Sequence, residues 1–560
     1  MPPEAPMADA RVVVIGAGMG GLVSALELAQ RGLAVTVVEA GLAPGGKMRS
    51  VLVDGAPVDS GPTVFTMKWV FDQILADVGT RLEREVALDP LPVIARHFWD
   101  PRGSDAPAQL DLHADPRASV DAVAQFAGPA EAQRFQAFCA LAREVYDTLE
   151  GPFIRSTSPT LLRMVGDLGV RGLGVLARLG PMRSLWDSLG QQFADERMRQ
   201  LFARYATYCG SSPWHAPATL MLIAQVEMDG VWSVRGGMHA LARMFERLAR
   251  ERGVQFRYGQ TCERIDVRDG RACGVTLRGG ERLDAQAVVF NGDVAALSTG
   301  LLGHAVQQAA ARRGAAAPGR SLSALTWSLN CAAQAEPAGA LDRHNVFFQH
   351  GYRSEFDDIF GARRLPSRPT VYVCAQDRGA FAAGGVAGVA RADAPDAAAA
   401  TAAPQAQRLL CLVNAPAVGD RTDAAGAELI SEEALARCEH ESFSLLRRCG
   451  LDLQPQAGQS VRTGPAEFHR LFPATGGALY GQASHGWMSA FSRSPAKSRL
   501  PGLFLAGGSV HPGPGVPMAA MSGHLAAAAV MGHLASTSRS RVAATSGGMS
   551  TRSATTDGSA

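Results

Sequence analysis

The chain has 560 residues, 47% of them hydrophobic and 19% charged, with a net charge of +2. That length exceeds what one core organises, so two or more intertwined lobes are expected, and the near-neutral balance without a Lys/Arg block excludes a nucleic-acid partner. Nine scattered cysteines with no CxxC pair exclude a disulfide framework and a zinc site and fit a reducing cytosol.

The N-terminal MPPEAPMADA carries neither a basic nor an apolar signal region, so no signal peptide is expected and residues 1–10 read as a disordered leader. No uninterrupted apolar run reaches the length of a membrane span. RVVVIG (11–16) reads as a buried strand, followed by a helix to about Gln30 and a second strand at Ala34–Ala40, a βαβ unit near its minimum length. From about 64 to 235 the pattern is mainly helical. A helix at Gly237–Glu251 and a strand at Val254–Tyr258 follow, with short strands about Arg268–Gly270 and Gly279–Gly280 and then AVVFNGD. Further strands are expected at 321–330, 371–376 and 408–415, with an Ala/Gly-rich excursion at 381–407. The chain closes with a strand at Gly502–Gly507, a glycine-proline loop, a helix to about Leu534 and a Ser/Thr-rich tail over 535–560.

The glycines at 16, 18 and 21 fit GxGxxG, with Gly20 beside them. The motif follows an apolar strand and opens a helix, the context that gives it meaning. Gly16 permits the turn, Gly18 lets backbone approach a pyrophosphate, and Gly21 lets the helix pack on the sheet, while the helix N-terminus offers N–H donors. Glu39 ends the second strand, where its carboxylate can accept both ribose hydroxyls and repels a 2′-phosphate. A second glycine turn, Gly45-Gly46-Lys47-Met48-Arg49, places cations at 47 and 49. It resembles the GG-[KR] extension of glutathione-reductase-type flavoproteins, which implies FAD; a solvated basic loop is the alternative for Lys47. Near the C-terminus a strand enters Gly507-Gly508 and a loop ending Gly515-Val516-Pro517 before a helix. In that superfamily such a helix start faces the flavin and stabilises its reduced, anionic form. The Cys262-Glu263-Arg264-Ile265 segment resembles the strand that sandwiches adenine through main-chain contacts.

Nearly end to end, from about 11 to 534, the chain resembles the bacterial carotenoid desaturases of the phytoene-desaturase type. The marks are Asp59-Ser60-Gly61-Pro62-Thr63, Arg204-Tyr205-Ala206-Thr207-Tyr208, Gly230–Met238 and Leu503–Gly523. Ala95–Trp99, Tyr372–Arg378 and Leu412–Pro416 are closer to the 1-hydroxycarotenoid 3,4-desaturases. The resemblance implies an α/β build with an α+β substrate part: a Rossmann-type, doubly wound FAD-binding domain, a β-sheet substrate domain and a helical membrane-facing region. The FAD-binding parts are expected at 11–80, 236–300 and 486–534, the helical region at 81–235 and the substrate domain at 301–485. Gly61, Pro62 and Thr63 are expected against the cofactor.

The implied reaction is loss of hydride to flavin from a CH₂–CH₂ bond next to a polyene, followed by loss of an acidified proton, so the protein's task is orientation and exclusion of water. No Ser/His/Asp, carboxylate-pair or metal constellation is expected. Tyr205 and Tyr208 share a helical face and either line the tunnel or pack in the core; His239 is either a helix-capping histidine or a base. Arg163, Arg171, Arg178 and Arg183 stand among apolar residues in 160–187, a pattern that either docks on a membrane interface or packs on its own protein. The resemblance implies a carotenoid substrate, a quinone or oxygen as electron acceptor, and a cytoplasmic, peripheral position on the inner photosynthetic membrane. The alternatives are a phytoene desaturase, carotenoid isomerase or ketolase of the same fold, an amine or protoporphyrinogen oxidase, and a non-catalytic prenyl-binding chaperone.

Overall fold

The structure, a computed structural model, describes residues 10–101, 106–157, scattered positions between 166 and 180, 182–310, 319–337, 340–379, 406–422 and 426–546. Its first layer is a five-stranded, wholly parallel sheet in the order Leu503–Leu505, Ala287–Phe290, Arg11–Ile15, Ala34–Val38, Gln255–Arg257. Strands from three distant stretches of chain thus share one sheet. Val12 to Ile15 are buried on both faces, which is why the strand reads as a continuous apolar run rather than an alternation.

Helix Met19–Gln30 lies over this sheet and is buried from Met19 to Ala29. It packs against helix Met238–Glu251 and the terminal helix Val516–Ser546. The crossing with the terminal helix is a backbone contact. The Ser24 hydroxyl shares its one proton between the Gly20 carbonyl at 2.7 Å and the Gly523 carbonyl at 3.1 Å. Buried Glu27 accepts from His524 at 2.7 Å and pairs with Arg31 at 3.0 Å, tying the same helices together. Residues 516–537 are long and apolar enough to cross a membrane, with a mean hydropathy of 1.2, but half of that window is buried inside the protein.

The second layer is a seven-stranded sheet in the order Ser460–Thr463, Ser323–Cys331, Gln407–Ala415, Val371–Ala375, His344–Phe348, Val93–Trp99, Ala108–His113. Only the pairing of His344–Phe348 with Val93–Trp99 is parallel. Side chains alternate between faces with period two. Leu409, Cys411 and Val413 join a core with Trp327, Val371 and Val373, over which helix Glu432–Arg448 packs. Leu410, Leu412 and Asn414 point the other way, into the cavity described below. Helices Pro129–Leu149, Leu185–Gln192 and Glu196–Ala203 close the remaining side around an aromatic cluster of Phe135, Phe138, Phe193 and Phe202.

Several expectations need correction. The stretch 64–235 is not simply helical: Val93–Trp99 and Ala108–His113 are strands. Val93–Trp99 is largely buried on both faces, so no clean alternation advertises it, whereas Ala108–His113 does alternate, with Leu110 and Leu112 inward, over a stretch too short to stand out. Arg268–Gly270 and Gly279–Gly280 span turns: the strands are Cys262–Arg268, Arg271–Leu277 and Arg282–Asp284 around them. The terminal helix runs on to Ser546, into the stretch read as an aperiodic tail. Residues 1–9, the excursion at 381–405 and 547–560 lie outside the described residues.

Candidate active site

A continuous cavity of about 850 Å³ opens where Ile15, Val38 and Phe290 end three parallel strands, the place at which doubly wound sheets bind ligands. Gly16, Gly18 and Gly20 line it, and Gly21 does not. A Cβ on Gly21 would stand 2.1 Å from the Gly16 carbonyl oxygen, so Gly21 permits the packing that Gly16 to Gly20 depend on. Glu39 also lines the cavity, its two carboxylate oxygens accepting from the backbone N–H of Ala17 at 2.7 Å and of Gly41 at 2.6 Å. Those bonds fix its rotamer and leave lone pairs for a further donor.

The second glycine turn lies beside the first. The Gly45 N–H donates to the Ala17 carbonyl at 2.8 Å, and Gly18 and Gly45 form a bridge. Gly45, Gly46, Lys47 and Arg49 all line the cavity. Neither cation is a solvated loop charge. Lys47 Nζ donates to the Leu479 carbonyl at 2.5 Å, and Arg49 Nη2 donates to Thr463 Oγ1 at 2.9 Å. Burial lowers the pKa of both, partly opposed at Lys47 by Asp293. Cys262 lines the cavity together with Gln260 and Thr261, its thiol donating to its neighbour Arg264's carbonyl at 3.6 Å. Gly507, Gly508, Gly515, Val516 and Pro517 complete the rim from the terminal strand and helix. Arg493 holds that loop, donating to the carbonyls of Tyr480, Gly508 and Gln482.

These features fit FAD. Two side-chain-free turns lie side by side, an anchored carboxylate closes the second strand, and a helix N-terminus meets them from the opposite rim. Asp293, on the same wall, has a buried Oδ2 with no partner among the described residues.

The cavity continues past Gly61, Pro62 and Thr63 into a mostly apolar chamber. One wall is the seven-stranded sheet, where Val346, Tyr372, Leu412 and Thr326 form a row by register. Thr63 Oγ1 and Tyr372 Oη are 2.6 Å apart, and Tyr372 Oη is 2.7 Å from His344 Nδ1. The His344 ring is neutral: burial first, then Arg343 and Arg204, lower its pKa to about 3. Behind Thr370 and Asn414, which donate to it, Glu355 is pushed up to about 7 by burial.

The facing wall carries the tyrosines. Tyr205 and Tyr208 sit on the 3₁₀ turn Arg204–Cys209 rather than on a regular helix, and both hydroxyls donate to buried Glu227, at 2.6 and 2.8 Å. Tyr208 lines the cavity; Tyr205 is 2% exposed and belongs to the core. His239 is not at the chamber. Its Nε2–H donates to the Pro44 carbonyl at 2.9 Å and so holds the second glycine turn. Arg204 and Glu227 escaped the sequence reading, although Arg204 stands inside a quoted motif; no local pattern marks Glu227. Of the four arginines in 160–187, Arg163 and Arg171 lie outside the described residues, Arg178 pairs with Glu144 and Arg183 donates to Gln191 at 2.6 Å.

The profile of the flavin containing amine oxidoreductase family matches residues 19–320. Hydroxyneurosporene desaturase of Rubrivivax gelatinosus is 59% identical over 99% of this chain and 99% of its own. Hydroxyneurosporene desaturase of Cereibacter sphaeroides is 41% identical over 94% of this chain and 99% of its own. Among solved structures, cyclohexylamine oxidase from Brevibacterium oxydans shares the fold, with a TM-score of 0.54 at 15% identity, covering 94% of this chain and 99% of that one. The chain belongs to the flavin containing amine oxidoreductase family and, within it, to the hydroxyneurosporene desaturase group of FAD-dependent carotenoid desaturases.

Proposed function

We propose that this protein introduces the 3,4 double bond into an acyclic carotenoid whose C1 bears a hydroxyl or methoxyl. The observation that carries this reading is the continuity of the cavity: a cradle for FAD opens directly into an apolar chamber with polar groups on facing walls. FAD, when bound, supplies the hydride acceptor. Gly16, Gly18 and Gly20 present backbone to its pyrophosphate, and Glu39 accepts from its ribose. Gln260 to Cys262 face its adenine through main chain, and the Val516 helix start meets its redox end. Gly45 to Arg49 flank it, and Gly61, Pro62 and Thr63 border the place where it meets substrate. On this reading the FAD-binding unit is assembled from 11–80, 236–300 and 486–534.

The chain's own part in the chemistry is positional. The apolar walls exclude water and align the polyene, whose delocalisation makes the adjoining C–H acidic, so no strong base is required. The same reading places the protein on the cytoplasmic face of the inner photosynthetic membrane, with a quinone or oxygen as final acceptor. Its support is that Leu179 and Gly180 line the cavity, and that Met182, Trp487 and Met488 are exposed apolar side chains around one shallow groove and its edge. The test is a side-by-side assay of a 1-hydroxycarotenoid, its unsubstituted parent and phytoene with one enzyme and one liposome preparation. Preferential 3,4-desaturation of the hydroxylated substrate is expected; equal turnover of the parent, or efficient conversion of phytoene, overturns the assignment.

A further inference from the structure

We infer that Arg204 is the group that reads the oxygen-bearing end of the substrate, by donating from its guanidinium to the C1 oxygen; this rests on the substrate class proposed above. Arg204 is 7% exposed and lines the chamber. A buried guanidinium is costly unless its charge and its N–H groups are matched. Its charge is matched at one remove. Its guanidinium lies 5.0 Å from the Tyr208 ring centroid and 5.8 Å from that of Tyr205, and both phenols donate to Glu227. No carboxylate stands in ion-pair range of Arg204 among the described residues, and its Nε–H is buried without a partner there. Each Glu227 oxygen already accepts from one tyrosine, the Arg204 guanidinium interacts with Tyr208, and its unpartnered Nε–H is the charged donor left on the wall of an apolar chamber.

The position suits the reaction. Arg204 lines the same chamber as Val346 and Tyr372 of the sheet wall. The Tyr372–Thr63 contact, which borders the cofactor side, belongs to the same lining. An oxygen on C1 is only two carbons from C3, so the group that holds it must stand close to where the bond is made. The donor chemistry also sets the specificity. Arginine has five donors and no acceptor, so a tertiary hydroxyl and a methoxyl satisfy it equally, whereas an acceptor such as Glu227 would read the hydroxyl and reject the ether. An unsubstituted end leaves the guanidinium unpaired, the stronger kind of discrimination.

The test measures equilibrium binding of carotenoids to the FAD-loaded protein by quenching of its fluorescence, together with FAD content. The proteins are wild type, Arg204→Lys, Arg204→Met and the double variant Arg204→Met/Glu227→Gln, which leaves no unpaired buried charge if the single variant misfolds. Wild type is expected to bind 1-hydroxy and 1-methoxy carotenoids alike and about ten- to a hundred-fold more tightly than the parent. Both Met variants should bind all three equally with FAD content unchanged, and Arg204→Lys should fall between. An oxygen preference that persists in the double variant overturns the role of Arg204, as does a wild type that binds the hydroxyl form and rejects the methoxyl. A wild type with no preference at all overturns the substrate class as well.

Discussion

Gly523 stands directly against Gly20: a Cβ on Gly523 would lie 2.3 Å from the Gly20 carbonyl oxygen. Gly20 lines the cofactor cradle, so the terminal helix is packed onto the glycine turn itself. Gly523→Ala should therefore push the two helices apart, destabilising the fold by about 1–3 kcal/mol and weakening FAD retention together with it. Thermal unfolding followed by flavin release measures both; an unchanged midpoint contradicts the contact.

Gly18→Val should abolish FAD binding. A side chain there enters the path of the pyrophosphate and meets Asn291, whose Nδ2 would be 2.8 Å from the new Cβ. Glu39→Ala should act more mildly, weakening binding by about 1.5–3 kcal/mol for a lost charge-assisted bond. Flavin absorbance per chain after reconstitution separates the two.

His239→Ala tests the anchoring role of that residue. Release of the Pro44 carbonyl loosens the second glycine turn, so the FAD dissociation constant should rise by about three- to tenfold, on the scale of one neutral hydrogen bond. In enzyme saturated with FAD the pH profile of turnover should keep its shape. Loss of a titrating limb would restore the histidine to acid–base duty.

His524 gives a signed pH dependence. Its hydrogen bond with Glu27 comes first among the causes that raise its pKa. A pKa raised on folding gives stabilisation that is fully present below the unfolded value of about 6.5 and lost as pH rises through the higher folded value. The stability difference between wild type and His524→Gln should accordingly be greatest near about pH 5.5 and shrink by about pH 8.5. Denaturant melts across that range decide it, and a difference that grows toward alkaline pH reverses the sign.

Met182 and Trp487 are 82% and 40% exposed. Their replacement together by serine should reduce sedimentation with liposomes while leaving FAD content intact. Unchanged sedimentation moves the membrane contact elsewhere.

The cofactor half of this protein was readable because its chemistry is local. Gly16 to Gly21 and Glu39 form one short βαβ unit, and Gly45 to Arg49 follow within a few residues, so spacing alone carries the geometry. The substrate half is built by long-range pairing. Thr63 meets Tyr372, and Tyr208 meets Glu227, across separations that no periodicity reports. The anchoring partner of His239 is equally illegible in sequence, because Pro44 comes from a loop far earlier in the chain. The strand at Val93–Trp99 was hidden by burial on both faces.

Across the middle of the seven-stranded sheet, the two faces sort by the parity of residue number. Thr326, Val346, Tyr372, Leu410, Leu412 and Asn414 border the chamber. Leu325, Trp327, Phe347, Val371, Val373, Cys411 and Val413 hold the core behind it. Breadth of substrate acceptance and thermal robustness are thus written in separate, interleaved sets of positions on the same strands. A library restricted to the even positions would reshape what the enzyme accepts with little claim on its folding, and one restricted to the odd positions would do the reverse.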